Sequence, residues 1–296
     1  MRIGRVLRAG AAVAAASLVL ASCGGDDGNG GTGGDGGGDE AKVAEDACPG
    51  GGDKTITIGT KFDQPGLGQQ TPDGMDGFDV AVGCYIAKQL HGDDVNVEWK
   101  EAPSAERENL IKNGDVDLVV ATYTINEERD QVVDFAGPYI LAHQDLLVRE
   151  DYDDIQTEED LKGSDLKLCS VTGSTSAQNV KKDFAPQANL VEYGGYSECM
   201  NGLQSGAVDA VTTDNSILAG FASAEQYQGL FELAGFNLSD EPYGVGLKEG
   251  DSELQQQVND AIQSMVDDGS WQEFFDAHLG ETNFEAEEPE VTQGQG

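Results

Sequence analysis

Between residues 54 and 280, short apolar runs alternate with amphipathic segments, which restricts the chain to an α/β architecture of parallel strands covered on both faces. The strand-like runs are 55–60, 95–99, 116–121, 166–171, 190–193 and 208–213, and the helical patterns between them are 80–90, 105–113, 177–184 and 196–204. The arrangement is doubled. Asn113-Gly114-Asp115-Val116-Asp117 and Ser205-Gly206-Ala207-Val208-Asp209 each close a helix and open a strand, so two similar α/β lobes are expected. Residues 251–279 read as helix with Val258, Ile262, Met265, Trp271 and Phe275 buried, and the acidic tail 281–296 is expected to fray.

The first 22 residues stand apart from this pattern. Arg2, Arg5 and Arg8 precede an apolar run over 11–21, shorter than the roughly 20 residues of a membrane-spanning helix, which reads as an export signal. Leu20-Ala21-Ser22-Cys23 resembles the lipobox of bacterial lipoproteins, so Cys23 is expected to carry lipid and anchor the chain to the outer face of the cell membrane. Residues 23–53 form a tether: ten of the seventeen residues 24–40 are glycine, interspersed with Asp. A coil of that length spans about 30 Å root-mean-square, enough for a folded body to move over a membrane.

The formal charge of −38 over 296 residues argues against a nucleic-acid partner. An acidic ligand is still admissible, because exposed charges are screened beyond about 8 Å and a local cluster of cations can dominate a cleft. With Cys23 assigned to lipid, Cys48, Cys84, Cys169 and Cys199 remain, an even number that predicts two disulfides in an exported chain. Of three possible pairings, Cys48 with Cys84 and Cys169 with Cys199 keeps each bond within one expected lobe. No CxxC occurs and His91, His143 and His278 are scattered, so no metal and no cofactor are expected.

Residues 121–138, ATYTINEERDQVVDFAGP, carry the clearest chemistry. Thr122 and Thr124 follow an apolar strand at its C-terminal end, where open α/β sheets present ligand-contacting groups. Arg129 comes five residues after Thr124 on a short helical turn. Its planar fork matches a carboxylate bidentately.

From Lys54 to about Gly280 the chain resembles the extracytoplasmic solute-binding proteins of polar amino-acid ABC importers, and among them the glutamate-binding lipoproteins. The resemblance rests on Gly77-Phe78-Asp79-Val80, on Thr122-x-Thr124 with Arg129, on Thr172-Gly173-Ser174-Thr175, and on Val208-Asp209-Ala210 leading to Asp214. It departs at Ala81, where many members carry an acid, and at Cys84. The resemblance implies a type II two-lobe periplasmic-binding-protein-like fold, with two α/β lobes joined by two crossing strands, closing over a ligand. Lobe 1 is expected at 54–142 plus 243–280 and lobe 2 at 143–242.

In that family the ligand is a free amino acid. By resemblance Arg129 takes the α-carboxylate with Thr124 and Thr175, the latter at a helix start where an anion is favoured. Asp214 takes the α-ammonium with Thr122 and Thr124, and could also cap the following helix. Lys61, Ser104, Arg107 and Tyr196 fall where relatives that bind acidic side chains build their pocket, which implies glutamate or aspartate. The implied protein is a monomer that hands its ligand to the permease subunits of an ABC importer. Alternatives are an enzyme on the same fold, dehydratase-like or peptidoglycan-cleaving, and an amino-acid sensor subunit. The enzyme needs an acid or base beyond those engaged by ligand charges, and neither GxSxG nor GxxxxGK[ST] is present.

Overall fold

The computed structural model describes residues 48, 50–162 and 166–293. The expected export signal, Cys23 and most of the tether lie outside the described residues. Along the first part of the chain come β1 (Lys54–Thr60), a small antiparallel sheet of β2 (Asp63–Gln64), β3 (Gly68–Thr71) and β4 (Gly74–Asp76), then α1 (Phe78–His91), β5 (Val95–Glu101), α2 (Arg107–Asn113), β6 (Leu118–Val119) and the long β7 (Asp134–Arg149). The second part contains β8 (Lys167–Val171), α3 (Thr175–Asn179), β9 (Asn189–Tyr193), α4 (Tyr196–Gln204), β10 (Ala210–Asp214), α5 (Asn215–Ser223), β11 (Phe231–Leu233), β12 (Asp240–Leu247), α6 (Ser252–Asp267) and α7 (Ser270–His278).

The alternation builds two parallel cores. In the first, β1 lies between β5 and β6, with Ile58 opposite Trp99 on one side and Leu118 on the other. In the second, β8 runs parallel to β9 and β10. Two strands join the lobes. β7 pairs with β12 through residues 134–143 and then with β10 through 144–148. A strand that is an integral member of both sheets fixes the line about which the halves can turn.

α1 shows how local chemistry places the first core. Gly77 has φ +119°, and a Cβ there would lie 2.2 Å from the Leu67 carbonyl oxygen, so only glycine fits. It offers no capping side chain. The amides of Phe78 and Asp79 instead donate to the carbonyls of Gly66 and Leu67 at 3.0 and 2.9 Å. Residues 78–87 are buried without interruption, because α1 packs between the sheet and the C-terminal helices. Cys84 on this helix is bonded to Cys48, which pins the start of the described chain to α1. Cys169 of β8 is bonded to Cys199 of α4.

Several expectations are corrected. The strand expected over 116–121 is reduced to Leu118–Val119, since Asp117 uses its side chain as well as its backbone to bond Thr57. The helix expected at 177–184 begins at Thr175, where Ser174 accepts from the Ala177 amide at 3.0 Å, and becomes a π-helix over Val180–Phe184. The C-terminal helix breaks at Gly269, whose φ of +85° ends α6 and opens α7. The tail does not fray over its described part. Phe284 and Val291 are buried, Thr292 and Gln293 donate their amides to the Gly137 carbonyl, and Asn259 donates to the Gln293 carbonyl at 2.7 Å.

Candidate functional site

The C-terminal ends of the parallel strands meet at the seam between lobes, where a narrow cavity of about 10 Å³ is lined from one side by Ser104, Arg107, Thr122 and Thr124. Ser174, Thr175, Ser176, Tyr196, Thr213, Asp214 and Ile217 line it from the other. Seven of the nine residues expected to bind ligand are therefore brought to one space. The other two stand directly behind it: Lys61 donates to Ser104 Oγ at 2.8 Å, and Arg129 donates to the Thr124 carbonyl at 2.7 Å.

Thr122 is held in a left-handed conformation, φ +45°, that costs a non-glycine residue about 1 kcal/mol or more. Asp79 supports it. The buried carboxylate accepts from the Thr122 amide and from the Tyr139 hydroxyl, each at 2.8 Å, while the Thr122 hydroxyl donates to Gln64 Oε1 at 3.2 Å. Burial raises the Asp79 carboxyl to about 6 against the opposing effect of its hydrogen bonds. Asp79 marked the opening of α1 in the sequence, but nothing local indicated that it reaches Thr122.

Three cations gather beside this turn. Arg129 begins a 3₁₀ turn, Arg129–Gln131, anchored by its own amide to Asn126 Oδ1 at 3.0 Å. Its guanidinium reaches the Gly173 carbonyl across the seam at 3.3 Å, and its Nε lies 3.7 Å from Glu108. Arg107 stacks on the Tyr123 ring at 4.1 Å and donates to the carbonyls of Ala121 and Thr122 at 2.9 and 3.3 Å, leaving its buried Nε without a partner. Among the described residues neither Lys61 nor Arg107 has a carboxylate within 4.0 Å. Burial and then the Arg107 charge hold the Lys61 ammonium well below its ordinary value. Burial and then Arg129 lower Arg107 to about 10.

On the second lobe, Asp214 ends β10 and heads α5. It makes no side-chain cap, contrary to the alternative open to it in sequence. Its oxygens instead accept from the Tyr243 hydroxyl at 2.6 Å and the Ser176 hydroxyl at 3.2 Å. Burial, and next the neighbouring Glu241, raise its carboxyl to about 7. Thr175 differs from expectation too. It opens a helix as expected, but its hydroxyl donates to Glu241 at 2.8 Å. Tyr196 accepts from the Thr213 hydroxyl at 2.6 Å. Among the described residues no group of three His, Cys, Asp or Glu side chains converges to hold a metal ion.

Residues 56–281 match the model of the bacterial extracellular solute-binding proteins, family 3. The chain is 49% identical over 236 residues to the glutamate-binding protein GluB of Corynebacterium efficiens, a match covering 76% of this chain and 79% of that protein. It is 40% identical over 223 residues to the ABC transporter glutamine-binding protein GlnH of Bacillus subtilis, covering 74% of this chain and 79% of the relative. Among solved structures, an ancestral arginine-binding protein bound to arginine superposes with a TM-score of 0.70 at 35% identity, covering 76% of this chain and 98% of that one.

Proposed function

The chain belongs to the bacterial extracellular solute-binding proteins of family 3, and from that premise we propose that it captures glutamate between its two lobes and presents it to an ABC importer. It is an amino-acid-binding protein of the extracytoplasmic space. The relatives it matches are binding proteins and not enzymes, and it shares that role.

The observation that carries glutamate is the pair Lys61 and Arg107. Both are buried, both touch only neutral acceptors, and Arg107 raises the cost of the Lys61 charge as Arg129 does that of Arg107. An anionic side chain placed between them removes that cost, whereas the neutral amide of glutamine removes little of it. Arg129 receives the α-carboxylate with Thr124, and Asp214 receives the α-ammonium with Thr122. Thr175 serves the carboxylate once its hydroxyl leaves Glu241.

Closure is then driven by charge matching. A unit pair at 4 Å is worth about 1 kcal/mol in water and about 4 kcal/mol at an effective dielectric of 20. The open cleft holds the ligand weakly, and shutting it strengthens three charged contacts together. An affinity of about −8 to −10 kcal/mol, micromolar to submicromolar, follows. The wider assignment takes 54–142 plus 243–280 as lobe 1, 143–242 as lobe 2, and Cys23 as the lipidated anchor of a monomer on the membrane surface.

Calorimetric titration of the purified folded body with all twenty amino acids tests the reading. Glutamate is expected to bind most tightly. Tighter binding of arginine or histidine contradicts the assignment of the side-chain pocket.

A further inference from the structure

Glu241 and Tyr243 lie two residues apart on β12, one of the two crossing strands, so they face the same way. In register they stand opposite Ala142 and Ile140 of β7, the other crossing strand. Both reach into lobe 2. Glu241, 2% exposed, accepts from the Thr175 hydroxyl at 2.8 Å and the Ser239 hydroxyl at 2.7 Å, with the Asn179 amide at 3.4 Å. Tyr243, fully buried, donates to Asp214 at 2.6 Å and accepts from Ser216 at 2.9 Å. Thr175 and Asp214 are thus each tied to the segment about which the lobes turn.

We propose that Glu241 is a positioning residue for head-group capture: from the crossing strand it holds the Thr175 hydroxyl and sets a second buried carboxylate beside Asp214. The inference rests on the amino-acid site described above. A threonine hydroxyl has one proton to donate. While Glu241 holds it, an arriving carboxylate must compete for that donor, so occupancy of the site is felt at the crossing strand. The second carboxylate acts on the other end of the head group. After burial, Glu241 is the largest influence raising the proton affinity of Asp214, and the ligand ammonium is the cation that replaces the proton.

The charged and titratable groups around this pair come from every side. Arg129 faces Asp214 from the 3₁₀ turn, Tyr196 from α4 and Tyr243 from β12, and Asp79 of α1 faces Tyr243. His143, whose Nδ1 lies 3.0 Å from Asp240, adjoins Glu241 in register. Substituting Glu241 alone leaves all of these in place.

The test is the pH dependence of glutamate affinity, measured calorimetrically for the unaltered protein and for Glu241→Gln. Glutamine keeps an acceptor for Thr175 and removes the charge. The weakening of affinity on acidification is expected to move to lower pH by about one unit. In a double-mutant cycle of Glu241→Ala with Thr175→Val, the two changes in affinity are expected to couple by at least about threefold. A Glu241→Gln profile that superposes on the unaltered one overturns the proposal, and so do changes that multiply independently in the cycle. If the unaltered protein binds no amino acid, the site reading itself fails and this inference with it.

Discussion

The guanidinium of Arg129 donates to the carbonyl of Gly173 at 3.3 Å, joining the two lobes across the seam with the group proposed to receive the ligand carboxylate. Its other close acceptor is the Thr124 carbonyl. Both are neutral and Glu108 stands off at 3.7 Å from Nε, so a carboxylate in direct contact is a stronger partner for the same fork. Arg129→Lys keeps the charge and loses the planar geometry. Affinity for every amino acid is expected to fall about 100-fold, since hydrogen bonds to charged groups contribute about 1.5–3 kcal/mol each. Calorimetry on the purified variant checks this, and a loss restricted to acidic ligands would contradict the assignment of Arg129 to the head group.

Closure can be blocked without touching the site. Gly220 lies within α5, and a Cβ there would sit 2.2 Å from the carbonyl oxygen of Pro65 on the opposite lobe. Gly220→Ala favours the helix by about 0.5–1 kcal/mol and obstructs only the shut form. Ligand affinity is expected to fall at least about tenfold while the ligand-free melting temperature holds or rises. Unchanged affinity would show that the two surfaces need not meet.

Selectivity is expected to reside in Lys61. Lys61→Met preserves the length and apolar stem of the side chain and removes the ammonium beside Ser104. Glutamate affinity should drop about 10- to 100-fold and glutamine affinity less than about fivefold, because only the former presents a second carboxylate. Parallel titrations with the two ligands measure the difference. Equal losses would assign Lys61 a structural role alone.

Acidity should weaken binding. The Asp214 carboxyl is raised from 3.8 to about 7, so in the ligand-free protein it holds a proton below that pH. The ligand ammonium requires the ionised form, and affinity therefore falls as pH drops below about 7, approaching tenfold per unit. The same shift acts on stability with a fixed sign. Between 3.8 and about 7 the folded state carries a proton that the unfolded state lacks, so this group's stabilising contribution declines as pH rises through that window and is absent above it. Asp214→Asn should remove the acid dependence together with most of the affinity. Titrations between pH 5.5 and 8 test both statements.

The parts of the fold legible in sequence were those written in local periodicity. Alternating apolar runs gave the two parallel cores, and Thr122, Thr124 and Arg129 announced themselves as a cluster because they lie within eight residues of one another. What long-range packing decides was hidden. Glu241 sits between Asp240 and Pro242 in an acidic chain and reads as a solvated charge, yet the crossing of β12 buries it against Thr175. Tyr243 reads as an ordinary strand aromatic, and its hydroxyl finds Asp214 only when the lobes are assembled. Phe284 and Val291 are too sparse in their acidic surroundings to mark a docked segment until Gly137 and Asn259 supply its hydrogen bonds.

The most direct measurement is a crystal structure of the folded body with bound glutamate. The α-carboxylate is expected on Arg129 and Thr124, the ammonium on Asp214, and the side-chain carboxylate within hydrogen-bond reach of Arg107 and Lys61. Glutamate density lying away from Arg129 and Asp214, or with its side chain turned from Lys61 and Arg107, would contradict the account.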